Sequence, residues 1–514
     1  MGAQAVRVLG QLVTLVILAR ILPPAAFGLL AMVASLNLVL DLLKELGLSS
    51  ATIQRNDLTQ AQVSALFWIN AGAGFLLAAL LALVAPLLAD FYDQPDLTAV
   101  ARWLALGFAM SGLTVQHWAL LRRQMRFGAI AGLETVADYA GYAAAIGLAV
   151  AGEGYWALVA QRLITPAVLM VGSWLVCRWR PARPAAAPGL RELLNFGASV
   201  TVSGFATALS RSFEQIMIGW LWGAATLGLY ERTARLLMLP VNAINAPVYS
   251  AGMPALSRLV EQPDRYRVMF RQMVQKLGLL TMPVFAVAAL TADWMVEILL
   301  GRSWEAAVPL VSLFSATAIF LPVMLSMGLL FLSQGRTREF LRANLLDAGL
   351  CLAAIVAGLS WGSVGVAAGL AIATVAVRTP LAFWLATRRG PVQLGDVCRA
   401  AAPPASAAVA AAAAVLSVRA LVPHNFTLES VTAVGAAASV SILIVLLLWP
   451  ETRRELRPPR CRLPPTSARR SRAVAWRASS QALRSKLLRR ATGVLGIRWQ
   501  SAKCSGDLRS NGSA

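Results

Sequence analysis

Apolar runs of the length needed to cross a bilayer, about 18 residues or more, recur along the whole chain. Short polar stretches separate them. The pattern predicts fourteen helices, at about 3–22, 27–47, 63–89, 98–120, 129–151, 155–177, 194–222, 227–254, 272–299, 306–332, 340–360, 362–387, 398–421 and 429–449. The alternating ten-residue segments of an outer-membrane barrel are absent from the sequence. The expected class is therefore an all-α polytopic membrane protein.

Several runs carry polar residues at helical spacing on one face. The second has Asn37, Asp41 and Lys44/Glu45, and the fifth has Glu134, Asp138 and Tyr142. The seventh has Ser203, Thr207, Ser210/Arg211 and Glu214; the eighth has Glu231, Arg232, Arg235, Asn242 and Asn245. Ionisable groups at membrane depth are costly and usually face a bundle interior or a wet cavity. The plainer reading is local pairing, Glu231 with Arg235 and Arg211 with Glu214. Four such stripes together point to an aqueous cavity. Arg20, Arg211, Arg232 and Arg235 are the candidates for holding an anionic diphosphate, because a guanidinium fork matches phosphate oxygens in pairs. Asp41, Glu134, Asp138 and Glu214 are the candidates for proton coupling.

Arg20 lies between two apolar runs, in "LARILPPAAFGLLA" (18–31), near the end of the first helix. The plainer reading there is a side chain reaching up to the headgroups.

The opening stretch also repeats. Shifted by 200 residues it meets "IGWLWGAATLGLYE" (218–231), with Ala25, Gly28 and Leu29 on Ala225, Gly228 and Leu229. Further on, "APLLADFYD" falls near "DWMVEILLG". Trp220 stands where the first copy has Arg20, so the helix–turn–helix itself needs no cation. Six helices per copy give both halves one orientation. The expected boundaries are a first lobe at 1–178, a second at 192–388, additional helices 13 and 14 at 397–449, and a basic tail at 451–514.

Charge adds orientation. Of the 514 residues, 14% are charged, against about 25% in soluble proteins. The net charge is +22, of which the tail, with 16 basic and 3 acidic residues, supplies +13. In the body, arginines crowd alternate loops, while the opposite loops hold only Arg302. That asymmetry predicts cytoplasmic termini. The tail is expected to be largely disordered and would attract anionic lipid; nucleic acid is not expected as a partner.

Little else suggests chemistry. The five cysteines show no metal or disulfide spacing, and His117 and His424 are far apart. "GEGYWA" (152–157) has no strand before it, so it does not read as a nucleotide fingerprint. No cofactor and no metal are expected.

The segments "LARILPPAAFGLLAM", "DLLKELGLSSATIQRNDLT", "HWALLRRQMRF", "GYWALVAQRL", "LGLYERTARLLMLPVNAI" and "MPALSRL" resemble bacterial lipopolysaccharide and exopolysaccharide flippases. These form the polysaccharide transporter branch of the multidrug/oligosaccharidyl-lipid/polysaccharide exporter superfamily. The resemblance covers about residues 5–390. It implies two MATE-like six-helix lobes around a central cavity, and alternating access for an oligosaccharide on a polyprenyl diphosphate. It implies no enzymatic activity, a location in the bacterial inner membrane, and membrane lipids and other polysaccharide-assembly membrane proteins as partners. In the related lipid II flippases, cationic residues on the first, second and eighth helices handle the diphosphate. Arg20 in "ARILP" matches one of them; Arg55 and Arg235 stand at looser counterparts. The alternatives are an integral-membrane glycan polymerase or ligase, disfavoured by outer loops of about 4–10 residues, and a cation-coupled small-molecule exporter of the same fold.

Overall fold

In a computed structural model, residues 2–45, 52, 58–183, 190–421, 432–440 and 443 are described. Within them the side chains of 2, 3, 5, 37–39, 41–45, 190–208, 210 and 211 are not. Arg55, most of helix 14 and the tail at 451–514 lie outside the described residues, as do the side chains of Asp41 and Arg211.

The described chain is helical throughout. Its elements are α1 (Gly2–Ile21), α2 (Pro24–Glu45), α3 (Gln60–Tyr92), α4 (Asp96–Arg123), α5 (Phe127–Val150), α6 (Trp156–Cys177) and α7 (Leu190–Ser257). Then come α8 (Pro263–Leu290), α9 (Ala292–Leu299), a 3-10 turn (Arg302–Ala307), α10 (Val308–Ser333) and α11 (Thr337–Gly358). The last are α12 (Gly362–Ala373), a π segment (Thr374–Arg378), α13 (Thr379–Thr387) and α14 (Leu394–Leu421). A further helical stretch covers 432–440.

Local chemistry sets the boundaries. Thr59 opens α3 with a capping box: its hydroxyl accepts from the Gln62 amide, and the Gln62 side chain accepts from the Thr59 amide. Pro24 starts α2, where a missing N–H costs nothing. Helix surfaces are apolar and exposed, as a bilayer requires: Leu76, Leu83 and Leu87 on α3 and Leu175 on α6 all face outward.

Predicted spans 7 and 8 keep their expected break: α7 is two helical stretches meeting at a kink, where Gly223 takes φ 76° and ψ −179°. That positive-φ conformation is open to glycine, and the helix is interrupted and redirected there. Two spans, 9 and 12, differ from expectation. Predicted span 9 is divided at Thr291 into α8 and the short α9. Predicted span 12 contains the π segment. In addition, Arg265, Arg267 and Arg271 sit in the first turns of α8 and not in a loop.

The most extensive interhelix packing joins α2 to α7, across the two repeat copies. Within the first half, α3 packs on α4 and α5 on α6; within the second, α8 packs on α14 and α10. One large buried cluster spans both halves, from Leu18, Phe27 and Met32 to Leu227, Trp304 and Phe314. The stretch at 432–440 places Val434 and Ala438 against Trp294 and Val415.

Candidate functional site

The principal cavity has a volume of about 1070 Å³. Its described lining comes from α7, α10, α11, α12, the π segment and α13, all in the second half. It reaches Phe331 and Leu385, within a turn or so of the arginine-rich end.

Five charged side chains line it: Glu214, Glu231, Arg235, Asp347 and Arg378. Glu231 and Arg235 stand one helical turn apart with 3.7 Å between charged atoms. Glu214 accepts a hydrogen bond from the Tyr230 hydroxyl. Arg378 grips Asp347 with two parallel bonds, Nε to Oδ1 at 2.7 Å and Nη2 to Oδ2 at 2.8 Å. Its third contact, Nη1 to Thr374 Oγ1 at 2.9 Å, spans the π segment. Thr374 and Arg378 are the first and last residues of that segment, and the fork reaches from there to Asp347 on α11. Asp347 and Arg378 had no place in the sequence expectation. An arginine inside an apolar run was the available signal for the second of them.

Glu134 and Asp138 line a different place. Both receive the guanidinium of Arg7 on α1: Arg7 Nε donates to Asp138 at 2.8 Å, and Nη1 donates to Glu134. The Tyr139 hydroxyl donates to the Val6 carbonyl at 3.0 Å beside them. All three charged side chains are about three-quarters buried. The spacing of Glu134 and Asp138 put them on one face of α5; the cation that answers them, 127 and 131 residues earlier, was missed.

Arg20 and Arg232 are not among the residues lining the cavity. Both belong to a seam between the halves at the end poor in basic residues. Arg20 Nη2 donates to the Ile298 carbonyl in the last turn of α9. A cation there satisfies an orphan carbonyl and complements the negative end of the helix. One residue earlier, the Ala19 carbonyl accepts from Trp304 Nε1 at 2.8 Å, with Trp304 fully buried. Trp304 meets Phe27 edge-on at 5.4 Å. The Arg232 guanidinium lies 4.1 Å from the centre of the Phe27 ring and is 7% exposed. Cation–π attraction of this kind strengthens when water is excluded.

The repeat gives this seam a counterpart. Trp220, at the position equivalent to Arg20, stacks on Phe91 at the end of α3, 5.8 Å apart and 14° from parallel. So the end of α1 docks on the second half, and the equivalent point of α7 docks on the first.

Of the eight predicted site residues, the structure brings Arg235 and Glu214 to the cavity, Glu134 and Asp138 to Arg7, and Arg20 and Arg232 to the seam. Asp41 and Arg211 lie outside the described side chains.

Comparison with known proteins agrees with this architecture. The chain is 24% identical over 381 residues to the lipopolysaccharide biosynthesis protein WzxC of Escherichia coli, covering 73% of this chain and 76% of that one. It is 25% identical over 326 residues to the succinoglycan biosynthesis transport protein ExoT of Rhizobium meliloti, covering 62% and 66%. Among solved structures, the lipid II flippase MurJ in an inward closed conformation superposes with a TM-score of 0.71 at 9% identity, over 87% of this chain and 98% of that one. An inward-facing multidrug resistance MATE family transporter of the MOP superfamily gives 0.58 at 14%, over 76% and 96%. These two likenesses establish a shared fold. The family described as polysaccharide biosynthesis protein matches residues 17–309, more than half of the sequence, and the chain belongs to that family.

Proposed function

We propose that this protein moves a polyprenyl-diphosphate-linked oligosaccharide from the inner to the outer leaflet of the bacterial inner membrane by alternating access. The observation that carries the reading is a large cavity that holds five charged side chains and several amides within a largely apolar lining, inside helices whose outer faces suit lipid. Such groups are costly in hydrocarbon, and a wet passage for a hydrophilic headgroup accounts for them. The relatives named for lipopolysaccharide and succinoglycan biosynthesis support the substrate class.

In this reading the moving lobes are 1–178 and 192–388, and both termini are cytoplasmic. The two further helices at 397–449 and the basic tail at 451–514 are additions, and the tail's positive charge favours anionic lipid. Arg235 is the cavity cation that meets the diphosphate, displacing its contact with Glu231. Arg211, on the stretch of α7 before the Gly223 kink, is a second candidate. Arg232, against Phe27 in the seam, joins Arg20 in holding the lobes together at the outer end while the cavity faces inward. Glu214, with Asp41, Glu134 and Asp138, remains the proton-coupling set; protonation of Glu134 or Asp138 would release Arg7 and loosen α1 from α5. The chain itself catalyses no sugar transfer.

Deletion of the gene tests the assignment. Loss of surface polysaccharide, with the lipid-linked precursor accumulating and drug tolerance unchanged, is expected. Altered drug tolerance with intact polysaccharide would overturn the reading in favour of a small-molecule exporter. Sugar transfer by the purified chain would overturn it in favour of a polymerase or ligase.

A further inference from the structure

The charges in the cavity are matched to one another, Arg235 to Glu231 and Arg378 to Asp347, with Glu214 bonded to Tyr230. What remains polar is neutral. Asn242 and Asn245 stand three residues apart on α7, and Tyr249 follows four residues later, so the three share one face. Asn344 on α11 lines the same space. The Asn245 side-chain amide nitrogen is buried and has no hydrogen-bond partner among the described residues. A buried donor without a partner costs about 1–3 kcal/mol, a cost that an acceptor in the cavity relieves once the amide turns toward it. Tyr249 and Phe340 line the same cavity.

We propose that Asn242, Asn245 and Asn344 form the subsite that reads the uncharged sugar units of the transported lipid, with Tyr249 and Phe340 packing on sugar-ring faces. This rests on the flippase reading and specifies it. An amide offers two donors and an acceptor from one planar group, which matches the paired donor and acceptor of neighbouring hydroxyls. A polyprenyl tail has no use for buried amides, which argues against the tail as occupant of this face. A volume of about 1070 Å³ is at the upper end of ordinary ligand sites, about 300–1,000 Å³. Helical register gives the polarity of binding. At 1.5 Å per residue, Asn242, Asn245 and Tyr249 lie roughly 10, 15 and 21 Å along α7 from Arg235. The diphosphate therefore sits at Arg235 and the glycan extends from it toward the arginine-rich end.

The test is a pair of dissociation constants for the purified full-length chain in detergent. One ligand is undecorated polyprenyl diphosphate; the other is the lipid-linked glycan extracted from the deletion strain. The wild type is expected to bind the glycan-bearing lipid at least tenfold more tightly. Asn245→Ala and Asn344→Ala should each weaken the glycan-bearing ligand by about three- to tenfold, with the undecorated lipid changing less than twofold; the undecorated lipid also reports that each variant is folded. Arg235→Ala should weaken both. Equal wild-type affinity for the two ligands overturns the sugar subsite and leaves the flippase reading standing, as does an unchanged ratio in both asparagine variants. Wild-type protein that binds neither ligand overturns both.

Discussion

Gly28 and Gly228, equivalent positions in the two repeat copies, meet backbone to backbone where α2 crosses α7. A Cβ on Gly28 would lie 1.7 Å from the Ala224 carbonyl oxygen. A Cβ on Gly228 would lie 2.0 Å from the Pro24 carbonyl oxygen and 2.9 Å from the Gly28 nitrogen. The contact is reciprocal: residue 28 faces 224, and 228 faces 24. The halves are therefore joined through the same turn used twice, about a local pseudo-twofold axis.

This crossing predicts matched penalties. The opposing atoms are backbone, so no side chain can move aside to admit a methyl group. Gly28→Ala and Gly228→Ala should each destabilise by at least the about 1–3 kcal/mol of ordinary overpacking. Gly72→Ala, where a Cβ meets open space, should not. Thermal unfolding in detergent checks this; an unchanged midpoint for Gly28→Ala would show that the helices do not cross this closely.

Arg20 holds one carbonyl, that of Ile298. A lysine can make the same single bond, whereas it cannot reproduce a bidentate grip on phosphate. Arg20→Lys is expected to keep most of the export activity. Arg20→Ala should cut it severalfold and make a cysteine placed at Ala25 more reactive to a membrane-impermeant thiol reagent. If Arg20→Lys is as inactive as Arg20→Ala and both lose affinity for polyprenyl diphosphate, Arg20 contacts the headgroup instead.

Removing Arg7 leaves Glu134 and Asp138 facing each other without a cation. Arg7→Ala should lower the yield of folded protein more than Glu134→Gln or Asp138→Asn does, because a partly buried charge left unpaired costs more than a neutral amide. The triple variant Arg7→Ala, Glu134→Gln, Asp138→Asn should recover much of the loss. Size-exclusion profiles of the four proteins provide the measurement. A triple variant no better than Arg7→Ala would contradict the pairing.

Asp347 and Arg378 form a two-bond fork across α11 and the π segment. Arg378→Lys should lose most of the benefit, since one ammonium cannot span both oxygens. Arg378→Gln combined with Asp347→Asn should be better tolerated than Arg378→Gln alone, by about 1–2 kcal/mol of coupling. Additive effects in this cycle would contradict the fork.

The span pattern was legible because lipid imposes a length and a composition on every helix. The Glu231–Arg235 contact was legible because four residues is one turn. The repeat turn was legible through Ala25, Gly28 and Leu29, although nothing in it said that the copies would touch. The environments of Arg7, Arg20 and Arg378 were not legible. Their partners lie 127 and 131, 278 and 31 residues away, and sequence spacing carries no information about which helices become neighbours. Arg20 read as a cavity residue because a cation in an apolar run suggests an anionic ligand; a helix C-terminal carbonyl meets the same need. The division at Thr291 was hidden by uninterrupted hydropathy, which registers the membrane and not the backbone.

The most direct test of transport uses the full-length chain reconstituted into vesicles containing the lipid-linked glycan from the deletion strain, with the glycan in the outer leaflet read by a membrane-impermeant glycan-cleaving enzyme. With wild-type protein, glycan initially protected in the inner leaflet should become accessible at least tenfold faster than in protein-free vesicles. Arg235→Ala should remove most of that acceleration. A wild-type rate equal to that of protein-free vesicles would contradict the account.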